Sequence, residues 1–466
     1  MSELNTPQHI AGVEQFGAEH SPPYILQYRF PLPDCDLLEF YHSIESSDRR
    51  IVYWEYPDEN DGLLATGQVL EETASGPERF HRLDQIFTYW KNRIEIQTER
   101  STTELPVFLT AAAFSPVISS PEWRPFPAAA IMIPEIMVIR REGKSTGCVN
   151  LLIDNQNQSR DRCLMQLKAA ESRLRTMISG TQPLNGRPAV GHVSFNGSRD
   201  EWIDTVRQGI QAIDRHQLEK VVLATRSDIE FPAPPSVPEI LSDMRNDYPS
   251  CLLFAQHNPS GGTFFGASPE WLARIRNDVI TCDALAGSAA RDPDPGKDSS
   301  LGQALLESKK NRSEHQFVVE YLESSLKSLV REFTHSDRPV LQKLQNVQHL
   351  HTPVTGKLKA DVTPFQVLHQ VHPTPSVGGI PSDRAMELIA ELEGFDRGYF
   401  AGILGWLNTS GDGDFAVGLR SGLVRESRIR IYAGAGIVSD SDPEEEYREI
   451  QLKLQPIVKT VTAPEK

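Results

Sequence analysis

The order of apolar runs is the strongest constraint in this chain. Strand-like runs come in adjacent pairs and helix-like runs in blocks, without regular strand–helix–strand alternation. A doubly wound parallel sheet needs that alternation, so the order favours an α+β fold. Residues 51–56, 107–114 and 136–141 read as strands, the last entering a turn at Glu142-Gly143. Residues 160–177 read as a helix, with Cys163, Leu167, Leu174 and Met177 at helical spacing. The second half begins with a capping box, Ser198-Arg199-Asp200-Glu201, ahead of Trp202, Val206, Ile210 and Ile213. Residues 220–226 are a β-branched run typical of a strand. Further strands are expected at 264–266, 270–275 and 279–282, the last two joined across Asn277-Asp278. One long helix is expected over 302–333 and another over 385–392. Residues 405–438 read as antiparallel strands around a Gly-Asp-Gly turn at 411–413. A closing helix starts at Asp442-Pro443, with Asp442 as its N-cap and Pro443 at N1.

Three parts follow from this pattern. Residues 1–35 are polar and read as an N-terminal arm. Residues 36–185 form an α+β portion, closed by a Gly/Pro/Asn-rich break at 180–187. Residues 195–462 carry the densest signals and form the candidate catalytic domain.

Charge narrows the function. Lys plus Arg number 47 against 63 Asp plus Glu, a formal charge of −16. A nucleic-acid-binding face needs clustered Lys and Arg, so neither nucleic acid nor an anionic membrane is an expected partner. Cys35, Cys148, Cys163, Cys251 and Cys282 are scattered and form no CxxC, which fits a reducing compartment. The start Met-Ser-Glu-Leu-Asn-Thr has no basic segment followed by an apolar run. The apolar stretch 127–139 is broken by Pro134 and Glu135 and is too short to span a bilayer. The expectation is a cytoplasmic protein.

Several residues invite a chemical reading. Glu446, Glu449 and Lys453 share one face of the closing helix, opposite Tyr447, Ile450 and Leu454. That face is either a solvated acidic surface with an ion pair or a ligand-holding one. Glu314 stands in register with Val318, Tyr321 and Leu322 on an apolar helix face. A carboxylate there must reach water at the helix edge, or be paired, protonated or bound to metal. Two carboxylates from two helices suit Mg²⁺, which keeps an oxygen shell and takes few protein ligands. His349-Leu350-His351 offers two imidazoles without a nearby third ligand. Lys220 opens an apolar strand, either snorkelling to solvent or losing its proton to act as a base. Glu270 follows Gly266-Ala267-Ser268-Pro269, a turn that can deliver a carboxyl into a cavity as an acid. The same segment lacks the final Gly of a nucleophile elbow, and Gly434-Ala435-Gly436 lacks the third Gly of a dinucleotide fingerprint.

Taken in order, these segments resemble the chorismate-utilising enzymes, and within them the isochorismate synthases. The resemblance runs through 220–226, Gly266-Ala267-Ser268-Pro269-Glu270, Ala284-Leu285-Ala286-Gly287-Ser288, Glu314-His315 and His349-Leu350-His351-Thr352-Pro353. It continues through 372–379, 415–421, 432–438 and Glu446-Tyr447-Arg448-Glu449. It is strong from about 195 to 460 and looser over 36–180. It implies a large α+β fold of two stacked antiparallel sheets with helices outside. It also implies Mg²⁺-dependent conversion of chorismate to isochorismate, by water attack at C2 and loss of the C4 hydroxyl.

By family position Lys220 would be the general base and Glu270 the general acid. Glu314 and Glu449 would hold Mg²⁺, with Glu446 in support through water. Arg420, Lys453 and the Gly434 backbone would hold a substrate carboxylate. His349 would stand near the leaving hydroxyl, and Gly287 and Ser288 would add contacts. Ammonia-using relatives lack the Lys found at 220, and aminodeoxychorismate-type relatives often place a Lys where Ala286 stands. Water is therefore the implied nucleophile, and no glutamine amidotransferase subunit is expected. Salicylate synthases share the Lys220 type of base and are the alternative. Trp271 and Ala289-Ala290 depart from the family pattern beside the site.

Overall fold

A computed structural model describes residues 23–98, 105–154, 159–184, 193–194, 199–215, 218–344 and 347–462. Among these the chain is α+β, with one sheet of 13 strands and another of 10. Every pairing but one is antiparallel; the exception joins Tyr24–Leu32 to Ile94–Thr98. Central strands such as Ile51–Tyr56 and Gly262–Ser268 are buried at successive positions. Both faces of those strands are therefore covered, as in a layered core.

Each sheet runs through both halves of the chain. In the larger sheet the halves meet where Leu253 pairs with Glu55. In the smaller one they meet where Ile403 pairs with Ala112. The break expected at 180–187 lies partly outside the described residues, as does the Ser198 cap. The helix after that cap spans Arg199–Asp214 and buries Trp202, Val206 and Ile213.

Two expectations need correction. The arm expected over 1–35 gives way to the strand Tyr24–Leu32, whose first seven residues are buried. Its polar residues misled because they are satisfied from within: Gln27 donates to Asn150 (2.9 Å) and Arg29 donates to Gln27 (2.6 Å). Residues 1–22 lie outside the described part. The single helix expected over 302–333 is two helices, Pro295–Glu307 and Lys309–Leu326, followed by the strand Val330–Thr334. Ser308 divides the helices in an extended conformation, its side chain capping the second by accepting from the Asn311 N–H. Ser competes for backbone groups in this way and favours caps over helix interiors.

Other local readings hold. Asn277 and Asp278 take φ of 50° and 65°, which a two-residue hairpin turn requires. The closing helix spans Pro443–Thr462, and the Asp442 carboxylate accepts from the N–H groups of Glu444 and Glu445.

Candidate active site

Lys220 is the first residue of the strand Lys220–Glu230 and is 1% exposed. Its Nζ donates to Glu314 Oε1 at 2.8 Å, so the helix Lys309–Leu326 supplies its counter-charge. That contact needs room on the neighbouring strand. A Cβ at Gly436 would stand 2.9 Å from Glu314 Oε1 and 3.0 Å from Lys220 Cε. Burial disfavours the Glu314 carboxylate, but Lys220, Lys453 and Lys310 outweigh it and hold the group below its usual range.

Glu270 sits between the strands Gly262–Ser268 and Trp271–Arg276, at the crossing from one sheet to the other. Its main chain is pinned: Val417 N–H donates to its carbonyl, and its own N–H donates to Ser268 Oγ. The side chain is buried, and Oε1 has no protein hydrogen-bond partner. Burial first, and the Asp283 carboxylate second, push its carboxyl up to about 8, while Lys220 and Lys453 pull the other way. It is therefore mostly protonated at neutral pH.

A β-bulge at Gly287, with φ of 75°, shifts the register between Ala286 and Ser288. Bulges of this kind re-aim side chains beside active sites. Here Ser288 Oγ lies 3.0 Å from His349 Nδ1, and the Gly287 carbonyl lies 3.3 Å from the same nitrogen. His349 Nε2 faces Arg420 Nη2 at 3.3 Å. Arg donates only, so Nε2 accepts and the ring proton belongs on Nδ1. Burial, with Arg420 and Lys453, pushes this imidazole down to about 3. A neutral His349 thus orients Arg420, whose Nη1 is buried without a protein partner.

The closing helix forms the remaining wall. Lys453 Nζ donates to the Gly434 carbonyl at 2.9 Å and pairs with Glu449 at 2.7 Å. Glu446 is buried, with Lys310 at 3.7 Å. Burial, then Glu449 and Glu314, push its carboxyl up to about 7.

Every residue to which the resemblance gives a role lines one cavity of about 310 Å³. Lys310 and Arg397 line it too and were missed. Lys310 was legible, since it lies one turn before Glu314 on the same helix face. Trp271 lies outside the cavity lining. It packs on Trp54 and Tyr56 with ring centroids 5.9 and 5.6 Å away. Ala289 and Ala290 continue the sheet opposite Gln348 and Val347, also outside the lining. The departures from the family pattern therefore do not reach the cavity.

Glu314, Glu446 and Glu449 gather acidic charge at one end of the cavity. Among the described residues, no three His, Cys, Asp or Glu side chains form a ready-made metal cluster. Mg²⁺ does not need one, because it fills most of its shell with water and substrate oxygens. A buried Glu446 whose proton affinity is raised by Glu449 and Glu314 fits a site for such a cation.

A sequence model described as "Chorismate binding enzyme" matches residues 11–462. The salicylate biosynthesis isochorismate synthase of Pseudomonas aeruginosa is 32% identical over 457 residues, covering 95% of this chain and 91% of that protein. The isochorismate synthase MenF of Bacillus subtilis is 29% identical over 445 residues, covering 93% of each. The menaquinone-specific isochorismate synthase MenF from Escherichia coli matches in structure with a TM-score of 0.78 at 25% identity. That match covers 96% of this chain and 97% of that one. Matched along nearly its whole length, the chain belongs to the family of chorismate-binding enzymes.

Proposed function

We propose that the chain isomerises chorismate to isochorismate. The observation that carries this reading is one cavity holding a buried Lys220 and a Glu270 carboxyl that keeps its proton to about 8. Displacing hydroxyl by water across a ring needs a base for the incoming water and an acid for the leaving hydroxyl. Lys220 first gives up a proton, and its neutral amine then takes one from the attacking water as the water oxygen bonds to C2 and the ring double bonds shift. Glu270 delivers a proton to the C4 oxygen as that bond breaks. One water enters and one leaves, so substrate and product are isomers. Arg420 and Lys453 meet a substrate carboxylate, where the Arg fork suits bidentate binding. Glu314 and Glu449 would hold Mg²⁺, with Glu446 acting through water. When bound, the ion would neutralise the ring carboxylate.

Among the described residues no helix is long and apolar enough to cross a membrane. The reaction needs no nucleic acid, membrane or amidotransferase subunit, and a cytoplasmic setting suits it.

Proton NMR of the purified protein with chorismate and Mg²⁺, without and with ammonium, tests the reaction. Isochorismate alone, approaching equilibrium with chorismate, is expected. Salicylate with pyruvate, or an aminated product, would overturn it. A second test probes the Lys220–Glu314 contact. Gly436→Ala inserts a methyl within 3.0 Å of both side chains. Turnover should fall about tenfold or more, because sub-ångström misplacement of catalytic groups is costly. Steady-state kinetics beside a circular dichroism melt checks this, and unchanged kcat would remove the need for that spacing.

A further inference from the structure

Next to Glu270, but outside the cavity lining, stands a pair that the reaction above does not use. Asp283 is 9% exposed on the strand Val279–Ala290. Its Oδ1 lies 2.9 Å from His351 Nε2 on the neighbouring strand Val347–Leu358. Its Oδ2 accepts from the main-chain N–H of Trp271 at 3.3 Å. Trp271 directly follows Glu270. Neither Asp283 nor His351 lines the cavity. We propose that Asp283 and His351 form a positioning pair for Glu270, fixing its backbone and setting the charge its carboxyl feels. This rests on Glu270 being the acid.

The geometry divides the work. His351 holds one carboxylate oxygen, which leaves the other turned toward the Trp271 N–H. The Asp283 charge then sits beside the peptide that carries Glu270. A like charge nearby disfavours ionisation, so Asp283 helps Glu270 stay protonated. Groups on three other elements face Glu270. Lys220 on its strand and Lys453 on the closing helix favour ionisation, as does the Ser376 hydroxyl. Without Asp283, two cations would act on Glu270 with burial alone opposing them. His349-Leu350-His351 thus divides its imidazoles, His349 on Arg420 and His351 on Asp283.

The test is the pH dependence of kcat for isomerisation. In the unaltered protein turnover should fall as pH rises through about 8, where Glu270 loses its proton. Asp283→Asn keeps size and acceptor oxygen but removes the charge. Its alkaline limb should move down by about one pH unit. Turnover at pH 8 would then drop roughly fivefold, with little change at pH 6. Asp283→Glu should restore the limb. His351→Lys sets a fixed cation on Asp283 and should move the limb the same way, which keeps the proposal testable if Asp283→Asn does not fold. A limb that stays put in both variants, or a uniform loss at every pH, overturns the pair. Glu270→Gln run alongside separates the two failures. If it turns over normally, the acid assignment itself is wrong. If it is inactive while the limb stays put in the other variants, only the pair is wrong.

Discussion

Lys220→Ala should lower kcat by on the order of 10²–10⁴-fold while chorismate still binds. A thousandfold loss corresponds to about 4 kcal/mol of transition-state stabilisation. The ammonium is buried and donates to Glu314, so its removal also frees that carboxylate. Leaving one half of a buried pair costs about 3–5 kcal/mol of stability where both groups are fully buried. The cost here should be smaller, because the Glu314 side chain is 19% exposed and Lys453 and Lys310 also act on it. Lys220→Arg separates two roles. It keeps the positive charge, but guanidinium does not give up its proton at any working pH. A base role therefore predicts that Lys220→Arg is as inactive as Lys220→Ala. A purely electrostatic role predicts substantial recovery. Calorimetric titration with chorismate and Mg²⁺ gives binding, and stopped assays give turnover. Full activity in either variant would sink the base assignment.

How much of this was legible depended on the range of the forces involved. The run at 220–226 announced its strand because β-branched residues crowd a helix but fit a pleated sheet. Asn277-Asp278 announced its turn because both residues tolerate positive φ. Lys220, Glu270, Glu314 and the Glu446–Glu449–Lys453 face drew a chemical reading from local sequence, Arg420, Gly287 and Ser288 only from the resemblance, and all of these candidates line the same cavity. The remainder depended on partners far along the chain. Gln27 and Arg29 lie in the polar stretch read as an arm, yet Gln27 finds Asn150 across 123 positions. A single Ser308 divided a helical pattern that apolar spacing alone would continue. The bulge at Gly287 and the Asp283–His351 pair require strand register, which local sequence does not specify when a strand is buried on both faces. The order of strands in the two sheets belongs to the same class, since their central joints link residues 198 and 291 positions apart, from Glu55 to Leu253 and from Ala112 to Ile403.

Glu270→Gln should abolish turnover and at the same time stabilise the fold in alkali. Both effects come from one fact: the folded protein holds a buried carboxyl at about 8, against 4.5 in a free chain. The folded state therefore keeps a proton that the unfolded state releases between those values. Stability must fall as pH rises through that window, and above about 8 the full penalty applies. At pH 7 the penalty is about 3 kcal/mol, since each pH unit above the free-chain value adds roughly 1.4 kcal/mol. Gln carries no charge to desolvate, so it escapes this penalty at every pH. It also cannot donate a proton to a leaving hydroxyl, and the loss of turnover should be on the order of 10²–10⁴-fold. Denaturant melts at pH 5, 7 and 9 check the sign. The variant should match the native protein near pH 5 and outlast it increasingly toward pH 9. A constant difference across that range would mean that Glu270 ionises in the folded state as it does in water, and one that grows toward acid would mean that it ionises more readily still. In either case it could not serve as the acid. A gap that opens with pH would mean that the protein gives up stability to keep one proton ready in its cavity, as active sites that trade stability for chemistry do.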